Sequence, residues 1–123
     1  MINVGVIGTG SIGRHHARIF SGLEGVKLIG IVDTDQARAQ EIAHKYNCKA
    51  YGQYSEIISS VDAVSIAVPT TLHYQVAMDF LSFNKHVLVE KPVTTTIDEA
   101  DTLIHEAEKR NLILQVGHLE RFN

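Results

Sequence analysis

Residues 3–13 read NVGVIGTGSIG, an apolar run that passes through a glycine-rich turn into an amphipathic segment. The pattern predicts a strand, a tight turn and a helix, with the glycine spacing of a pyrophosphate-binding loop. Gly8 permits the turn, Gly10 lets backbone approach phosphate oxygens, and Gly13 lets the helix pack closely on the sheet. N–H groups of the first helical turn favour an anion. We therefore expect a dinucleotide to bind at Gly8, Thr9, Gly10, Ser11, Ile12 and Gly13.

An acidic residue follows the second predicted strand, VKLIGIV at residues 26–32, and this residue, Asp33, stands twenty positions after Gly13. A carboxylate there accepts hydrogen bonds from the adenosine ribose hydroxyls and repels a 2′-phosphate, so it favours NAD over NADP. The alternative is that Asp33 only caps the next helix. Thr34, which leaves room for a phosphate, and Arg38, one turn into the helix, keep NADP open as the less favoured cofactor.

Composition limits the class of protein. The chain has 123 residues, 45% of them hydrophobic, and a formal net charge of −3, which predicts one globular domain without a basic surface for nucleic acid or membrane. Its apolar runs are strand-length, and the predicted structure starts too early for a signal peptide. Cys48 is the single cysteine, which excludes an internal disulfide and favours the cytoplasm.

Strand-like and helix-like runs alternate along the whole chain. This order predicts an α/β fold, a doubly wound parallel sheet (Rossmann fold) of six strands with helices on both faces. Helical periodicity predicts that Ile12 and Leu23 face inward on the first helix, Leu72 on the third, and Ile97 and Ile104 on the last. Ser55 is predicted to cap a short helical piece.

In a sheet of this kind, ligands bind at the carboxyl ends of the strands. The loops there are predicted at residues 8–13, 33–35, 69–73, 90–92 and 117–121, and all of them carry polar or conformationally special residues. In these loops the chain resembles the nucleotide-binding half of the Gfo/Idh/MocA oxidoreductases, which include glucose–fructose oxidoreductase and inositol dehydrogenase. The matching segments are GTGSIGRHHA at 8–17, AVPTTLHYQVA at 67–77, Glu90-Lys91-Pro92, and Gly117-His118 followed by Arg121-Phe122.

The Glu90-Lys91-Pro92 element is the most specific part of the resemblance. It implies that Lys91 is catalytic, with its ammonium beside the hydroxyl or carbonyl being interconverted, where it steadies growing negative charge. Glu90 would position Lys91 or the nicotinamide ribose, and Pro92 would complete the cofactor-binding turn, with a cis peptide after Lys91. The alternative for Lys91 is a solvated surface charge.

The resemblance implies further contacts. Pro69 and Thr70 would lie under the cofactor ribose and pyrophosphate, and His73 near the nicotinamide. The alternatives are that Pro69 ends the strand with Thr70 as helix N-cap, and that His73 is a buried histidine bonded to backbone. His118 and Arg121 would touch substrate or join two domains.

Histidine spacing gives no metal site. His15 and His16 are adjacent, so they point about 100° apart on a helix and cannot share a ligand. His16 matches a family position with a structural role. We therefore expect no bound metal.

We expect residues 1–118 to form the dinucleotide-binding domain and residues 119–123 to begin the crossing to a C-terminal α+β substrate domain. The resemblance implies hydride transfer between NAD and a secondary hydroxyl or ketone of a sugar, nucleotide sugar or cyclitol. The ending VGHLERFN is similar to that of members acting on nucleotide-linked sugars such as UDP-N-acetylglucosamine. The parent enzyme would be a homo-oligomer, and this chain alone would bind cofactor without turnover.

Two other functions remain open at this point. One is a module that senses NAD(H) or a nucleotide and has no chemistry of its own. The other is a methyltransferase, because S-adenosylmethionine sites also combine a glycine-rich first loop with an acid after the second strand. The third glycine and the Glu90-Lys91-Pro92 element argue against the methyltransferase.

Overall fold

The computed structural model describes residues 1–90, 94 and 96–117. It contains a six-stranded parallel sheet in the order β3-β2-β1-β4-β5-β6. The strands are β1 (Ile2–Ile7), β2 (Val26–Val32), β3 (Lys49–Tyr51), β4 (Ala63–Ile66), β5 (His86–Glu90) and β6 (Leu114–Gly117). The helices are α1 (Ser11–Gly22), α2 (Gln36–Lys45), α3 (Thr70–Ser82) and α4 (Ile97–Lys109), with a short 3-10 helix at Tyr54–Glu56. The predicted fold class is confirmed.

The strand order reverses beside β1, which pairs with β2 on one side and β4 on the other. The register places Ile7 opposite both Val32 and Ile66, so β1, β2 and β4 end at the same level. The loops that follow these strands therefore meet at one point on the edge of the sheet. A crevice at such a reversal is the usual ligand site of open α/β sheets.

Two hydrophobic layers cover the sheet. The first contains buried residues of α1 and α2 against β1 and β2, namely Val6, Ala17, Leu28, Ile31, Ala39, Ile42 and Ala43. The second is larger and contains buried residues of α3 and α4. Phe80 and Leu103 are fully buried there. Helices therefore lie on both faces, as predicted.

The predicted inward faces of the helices are partly wrong. Ile12, Leu23, Leu72, Ile97 and Ile104 are between 43% and 80% exposed. In α1 the buried residues are Gly13, His16 and Ala17. Gly13 packs so closely that a Cβ there would come within 2.1 Å of the Gly8 carbonyl oxygen, so a larger residue does not fit at this position. In α4 only a narrow stripe, Leu103 and Ala107, is buried, so the outer isoleucines stay in solvent.

Three helices end in the same way at the edge opposite the crevice. Asn47, Asn84 and Asn111 follow α2, α3 and α4 with φ between 55° and 62°. In each case the next residue donates its N–H back to a carbonyl in the helix, as Cys48 does to Ala43 at 2.9 Å. These are left-handed helix ends that satisfy the last carbonyl groups. At this edge the carbonyl groups of the helix ends are therefore bonded within the chain.

The short helical piece after β3 begins differently from the prediction. Gln53, not Ser55, is its N-cap: the Gln53 side chain accepts a hydrogen bond from the backbone of Glu56, and Glu56 Oε1 accepts one from the Gln53 N–H at 3.0 Å. This reciprocal pair satisfies two N–H groups at once. Ser55 lies inside the 3-10 helix, where the capping preference of serine has no role.

Candidate functional site

The three glycines of the first loop stand in different surroundings. Gly8 has φ of 108°, and a Cβ there would lie 2.6 Å from the Ala67 carbonyl oxygen. Gly13 is excluded from bearing a side chain by the backbone of Gly8. A Cβ on Gly10, by contrast, would meet no heavy atom of the described residues within 4 Å. The packing of the chain explains Gly8 and Gly13, whereas Gly10 leaves open space at the mouth of the crevice.

Helix α1 starts beside this open space. Its N-cap is Gly10, no side chain among the described residues caps it, and its first turn holds no acidic residue. Helix α3 starts at the same edge with Pro69 as N-cap and likewise has no side-chain cap. Both helix dipoles present their positive ends to the crevice. The arrangement suits an anionic group such as a diphosphate.

Asp33 fastens the end of β2 to the glycine loop. Its Oδ2 accepts hydrogen bonds from the Thr9 N–H at 2.8 Å and from the Thr9 hydroxyl, and its Oδ1 accepts one from the Asp35 N–H at 2.8 Å. Arg38 approaches the same carboxylate at 3.9 Å. Burial alone would raise the pKa of Asp33, but these hydrogen bonds and the guanidinium outweigh it and hold the pKa below its usual value. Asp33 is therefore ionised at neutral pH.

Arg38 is held by acidic neighbours. The Arg38 side-chain Nε lies 3.3 Å from Asp35 Oδ2, and the Arg38 backbone N–H donates to Asp35 Oδ1. Asp35 therefore both caps α2 and binds this guanidinium. With Asp33 on its other side, Arg38 faces two carboxylates. Its charge is already balanced, which reduces what it can offer to a phosphate.

A cavity of about 920 Å³ lies over the ends of β1, β2 and β4. Its volume is in the range of small-molecule and cofactor sites. The predicted site residues that line it are Gly8, Thr9, Gly10, Ser11, Ile12, Asp33, Thr34, Arg38 and Pro69. The structure thus brings together most of the residues predicted for the adenosine and diphosphate half. Ile12 is exposed because it faces this cavity.

Four other predicted residues stand outside the cavity lining. Gly13 packs beneath the loop against Gly8. Thr70 is the first residue of α3, and the N-cap position belongs to Pro69. His73 is 3% exposed, and its Nε2 lies 2.8 Å from the Val68 carbonyl oxygen, the buried arrangement that the sequence left open as the alternative.

Glu90, the fourth of these residues, is buried at the end of β5. Its Oε1 lies 3.0 Å from His16 Nε2, and His16 Nδ1 forms a short hydrogen bond with the Ser65 hydroxyl. An imidazole that donates from Nε2 and accepts at Nδ1 satisfies all three groups. Ser65 and His16 are fully buried, so this Ser-His-Glu set cannot reach a substrate and does not form a hydrolytic site. It ties α1 to the ends of β4 and β5.

The remaining predicted residues lie outside the described residues. These are Lys91, Pro92, His118 and Arg121. Among the residues that are described, no group of three or more His, Cys, Asp or Glu side chains is arranged to hold a metal ion. The described helices also include none that is long and apolar enough to cross a membrane.

The far end of the cavity was not predicted from the sequence. It lies between the 3-10 helix and α3, and is lined by Gln53, Tyr54, Ser55, Leu72, Val76 and Asp79. The Tyr54 hydroxyl donates a short hydrogen bond to Asp79, which links the two walls. Burial raises the pKa of Tyr54 to about 12, helped by the Asp79 carboxylate. The spacing of Leu72, Val76 and Asp79 on one helix face was visible in the sequence, but their opposite wall was not.

Fold and crevice together define a dinucleotide-binding Rossmann domain. A six-stranded parallel sheet of this order, a glycine loop at the strand reversal and an ionised acid at the end of β2 are its defining parts. Residues 2–118 match the family model described as oxidoreductase family, NAD-binding Rossmann fold. The chain therefore belongs to the Gfo/Idh/MocA oxidoreductases, as the sequence motifs predicted.

The chain is similar to a UDP-N-acetylglucosamine 3-dehydrogenase from Acidithiobacillus ferrooxidans, with 39% identity over 98% of this chain and 38% of that protein. The solved structure of that enzyme superposes with a TM-score of 0.90. The structure of GenD2 from gentamicin A biosynthesis, solved with NAD, is 27% identical in sequence and superposes with a TM-score of 0.92. The match covers 94% of this chain and 34% of GenD2.

A 3-ketoreductase from Actinomadura kijaniata, solved as a mutant with NADP, is 28% identical and superposes with a TM-score of 0.89. The match covers 94% of this chain and 38% of the ketoreductase. The present chain thus spans less than two-fifths of the length of these relatives. NAD is bound in one of these structures and NADP in the other, so the family relation does not decide between the two cofactors.

Proposed function

We propose that this chain is the cofactor-binding half of an NAD-dependent dehydrogenase acting on a sugar, nucleotide sugar or cyclitol. The observation that carries the proposal is the space at Gly10. Packing accounts for Gly8 and Gly13, whereas the open volume over Gly10 adjoins an uncapped helix start and a cavity of about 920 Å³. A diphosphate placed there would accept hydrogen bonds from the first turn of α1.

The proposed cofactor preference is NAD over NADP. Asp33 is ionised, and its carboxylate lies at the end of β2 where an adenosine ribose would be placed. A 2′-phosphate would bring a second negative charge close to it. Arg38, the nearby cation, is already paired with Asp35 and approaches Asp33. Thr34 remains in the cavity lining but supplies no charge.

The proposed reaction is reversible hydride transfer between the nicotinamide and a secondary hydroxyl or ketone. The cofactor would supply the redox chemistry, and the protein would supply orientation and electrostatics. Lys91 is proposed to hydrogen-bond the reacting substrate oxygen and to stabilise its negative charge. This role rests on the Glu90-Lys91-Pro92 motif in the sequence and on membership of the family.

The substrate class rests on the relatives. The relative with 39% identity is a UDP-N-acetylglucosamine 3-dehydrogenase, and we extend that class to this chain as a proposal. His118 and Arg121 are proposed to contact substrate or a second domain, with residues 1–118 as the cofactor domain and residues 119–123 as the crossing. A cytoplasmic homo-oligomeric parent, and cofactor binding without turnover by this chain alone, complete the proposal.

The test is a titration of the 123-residue chain with NADH, NADPH and S-adenosylmethionine, followed by calorimetry. The proposal predicts that NADH binds, that NADPH binds about tenfold or more weakly because of charge repulsion at Asp33, and that S-adenosylmethionine does not bind. Asp33→Asn is the matched variant, and it should narrow the difference between NADH and NADPH. Tighter binding of NADPH to the unaltered chain would contradict the cofactor preference, and failure of NADH to bind would contradict the proposed function.

A further inference from the structure

We infer that the far end of the cavity selects the base of the dinucleotide, with the Asp79 carboxylate accepting a hydrogen bond from the exocyclic amino group of adenine. This inference rests on the proposed function, because it assumes that a dinucleotide occupies the cavity. It names a specificity-determining residue that lies far along α3 from the glycine loop.

The shape of this region suits a flat ring. Leu72, Val76 and Asp79 lie at i, i+4 and i+7 of α3, so they line one face of that helix over about 10 Å. Tyr54 and Ser55 stand on the opposite wall. Leu72 and Val76 offer an apolar surface for stacking, and Asp79 adds a carboxylate one turn further along the same helix face.

The hydrogen-bonding character of that end is set by the contacts already present. The Tyr54 hydroxyl donates its hydrogen to Asp79 Oδ2, and Gln75 Nε2 donates to Asp79 Oδ1 at 3.0 Å. Tyr54 carries its proton at neutral pH, as tyrosine ordinarily does, and burial with the Asp79 carboxylate raises its pKa further, to about 12. The Tyr54 hydrogen is therefore committed, and what the Tyr54–Asp79 pair still offers a ligand is acceptor lone pairs.

An acceptor at this place distinguishes bases by their substituent at position 6. Adenine carries an amino group there, which donates to a carboxylate. Hypoxanthine carries an oxo group at that position, which would place an acceptor against the carboxylate and lose the hydrogen bond that the adenine amino group donates. The pair at the end of the cavity therefore favours adenine over hypoxanthine.

The Tyr54–Asp79 hydrogen bond also connects the two walls at the far end of the cavity. Tyr54 packs on Phe80 with ring centroids 5.6 Å apart, and Phe80 is fully buried in the core beneath. The carboxylate is thus held by a side chain that is itself anchored. A fixed acceptor discriminates better than a mobile one, because it cannot turn away from an unsuitable partner.

The experiment compares NADH with reduced nicotinamide hypoxanthine dinucleotide on the unaltered 123-residue chain by calorimetry. The two ligands differ only in the group at position 6 of the base and the associated ring proton. We expect NADH to bind about tenfold or more tightly, the size expected for a hydrogen bond to a charged group. Equal affinity for the two ligands would overturn the inference while leaving the proposed function intact, because NADH would still bind.

Variants then assign the preference to one residue. Asp79→Asn should reduce the preference to about twofold or less, since an amide N–H can donate to the oxo group. Asp79→Ala, a substitution favourable in a helix, should reduce it by weakening NADH alone. Gln75→Ala is the control: it removes a donor to the same carboxylate from a residue outside the cavity lining, and should preserve the preference. An unchanged preference in both Asp79 variants would overturn the inference. If neither dinucleotide binds the unaltered chain, the inference and the proposed function are both overturned.

Discussion

The helix starts of this domain are of two kinds. Helices α2 and α4 are capped by side chains: Asp35 accepts from the Arg38 N–H at 3.2 Å, and Thr96 accepts from the Glu99 N–H at 3.1 Å. Helices α1 and α3 begin at Gly10 and Pro69, which have no side chain able to cap. The two uncapped starts border the cavity at the strand reversal, and neither cap residue of the other pair lines it.

This difference separates what the fold needs from what a ligand needs. A capping side chain stabilises a helix by about 1 kcal/mol, so its absence from α1 and α3 gives up stability. The same absence leaves N–H groups and a positive dipole end directed at the cavity. We propose that capped starts serve the fold and that uncapped starts are available to bind an anion.

The largest effect is expected for Gly10→Ala. The new methyl group would occupy the open space in which we place the diphosphate, so NADH affinity should fall by about tenfold or more. The free energy of unfolding should change by less than about 1 kcal/mol, because the Cβ meets no atom of the described residues. Calorimetry and urea unfolding measure the two quantities.

Gly22→Ala is the matched control for this variant. Gly22 lies at the other end of α1, and a Cβ there also meets no described atom within 4 Å. Alanine should raise the free energy of unfolding by up to about 1 kcal/mol and leave NADH affinity unchanged. Equal affinity losses in both variants would show that Gly10 acts through the helix and not through the cavity.

The next effect concerns a capped start. Thr96 does not line the cavity, and Thr96→Ala removes the cap of α4, so it should lower the free energy of unfolding by about 1 kcal/mol while NADH affinity stays within about twofold. Asp35→Ala on α2 should lower the free energy of unfolding by a similar amount. A large loss of affinity with Thr96→Ala would mean that the division between capped and uncapped starts is incorrect.

The smallest effect is on the pH dependence of stability. Asp33 has a lowered pKa in the folded chain, so its ionised form stabilises the fold above the unfolded pKa of about 3.9. This contribution is lost as the pH falls through the lower, folded pKa. Asp33→Asn should therefore show a shallower loss of stability below about pH 4 than the unaltered chain. Urea unfolding between neutral and acidic pH measures it, and parallel curves would contradict the role assigned to the Thr9 and Asp35 hydrogen bonds.

The sequence was sufficient to predict the fold and to predict which loops meet at the cavity. Those features depend on local patterns: glycine spacing, alternating strand and helix runs, and an acid at a strand end. The inward faces of α1 and α4 were mispredicted because apolar periodicity does not show how much of each helix is buried: α1 buries Gly13, His16 and Ala17, and α4 buries only Leu103 and Ala107.

Contacts between distant positions were beyond the sequence. His16 meets Glu90 across 74 positions, and Tyr54 meets Asp79 across 25. Neither pair has a motif of its own, because the contact depends on how two elements pack on the sheet. The Glu90 side chain, expected beside Lys91 or the nicotinamide ribose, is engaged by His16, and only the folded structure revealed that partner.

The most direct test of the division between helix starts is an amide NMR titration of the ¹⁵N-labelled chain with NADH. Large shifts are expected for the N–H groups of Ser11, Ile12 and Gly13, which form the first turn of α1, and little change is expected at residues 97–99, which form the first turn of α4 outside the cavity lining. Shifts concentrated at the start of α4, or none at α1 under saturating NADH, would contradict the division.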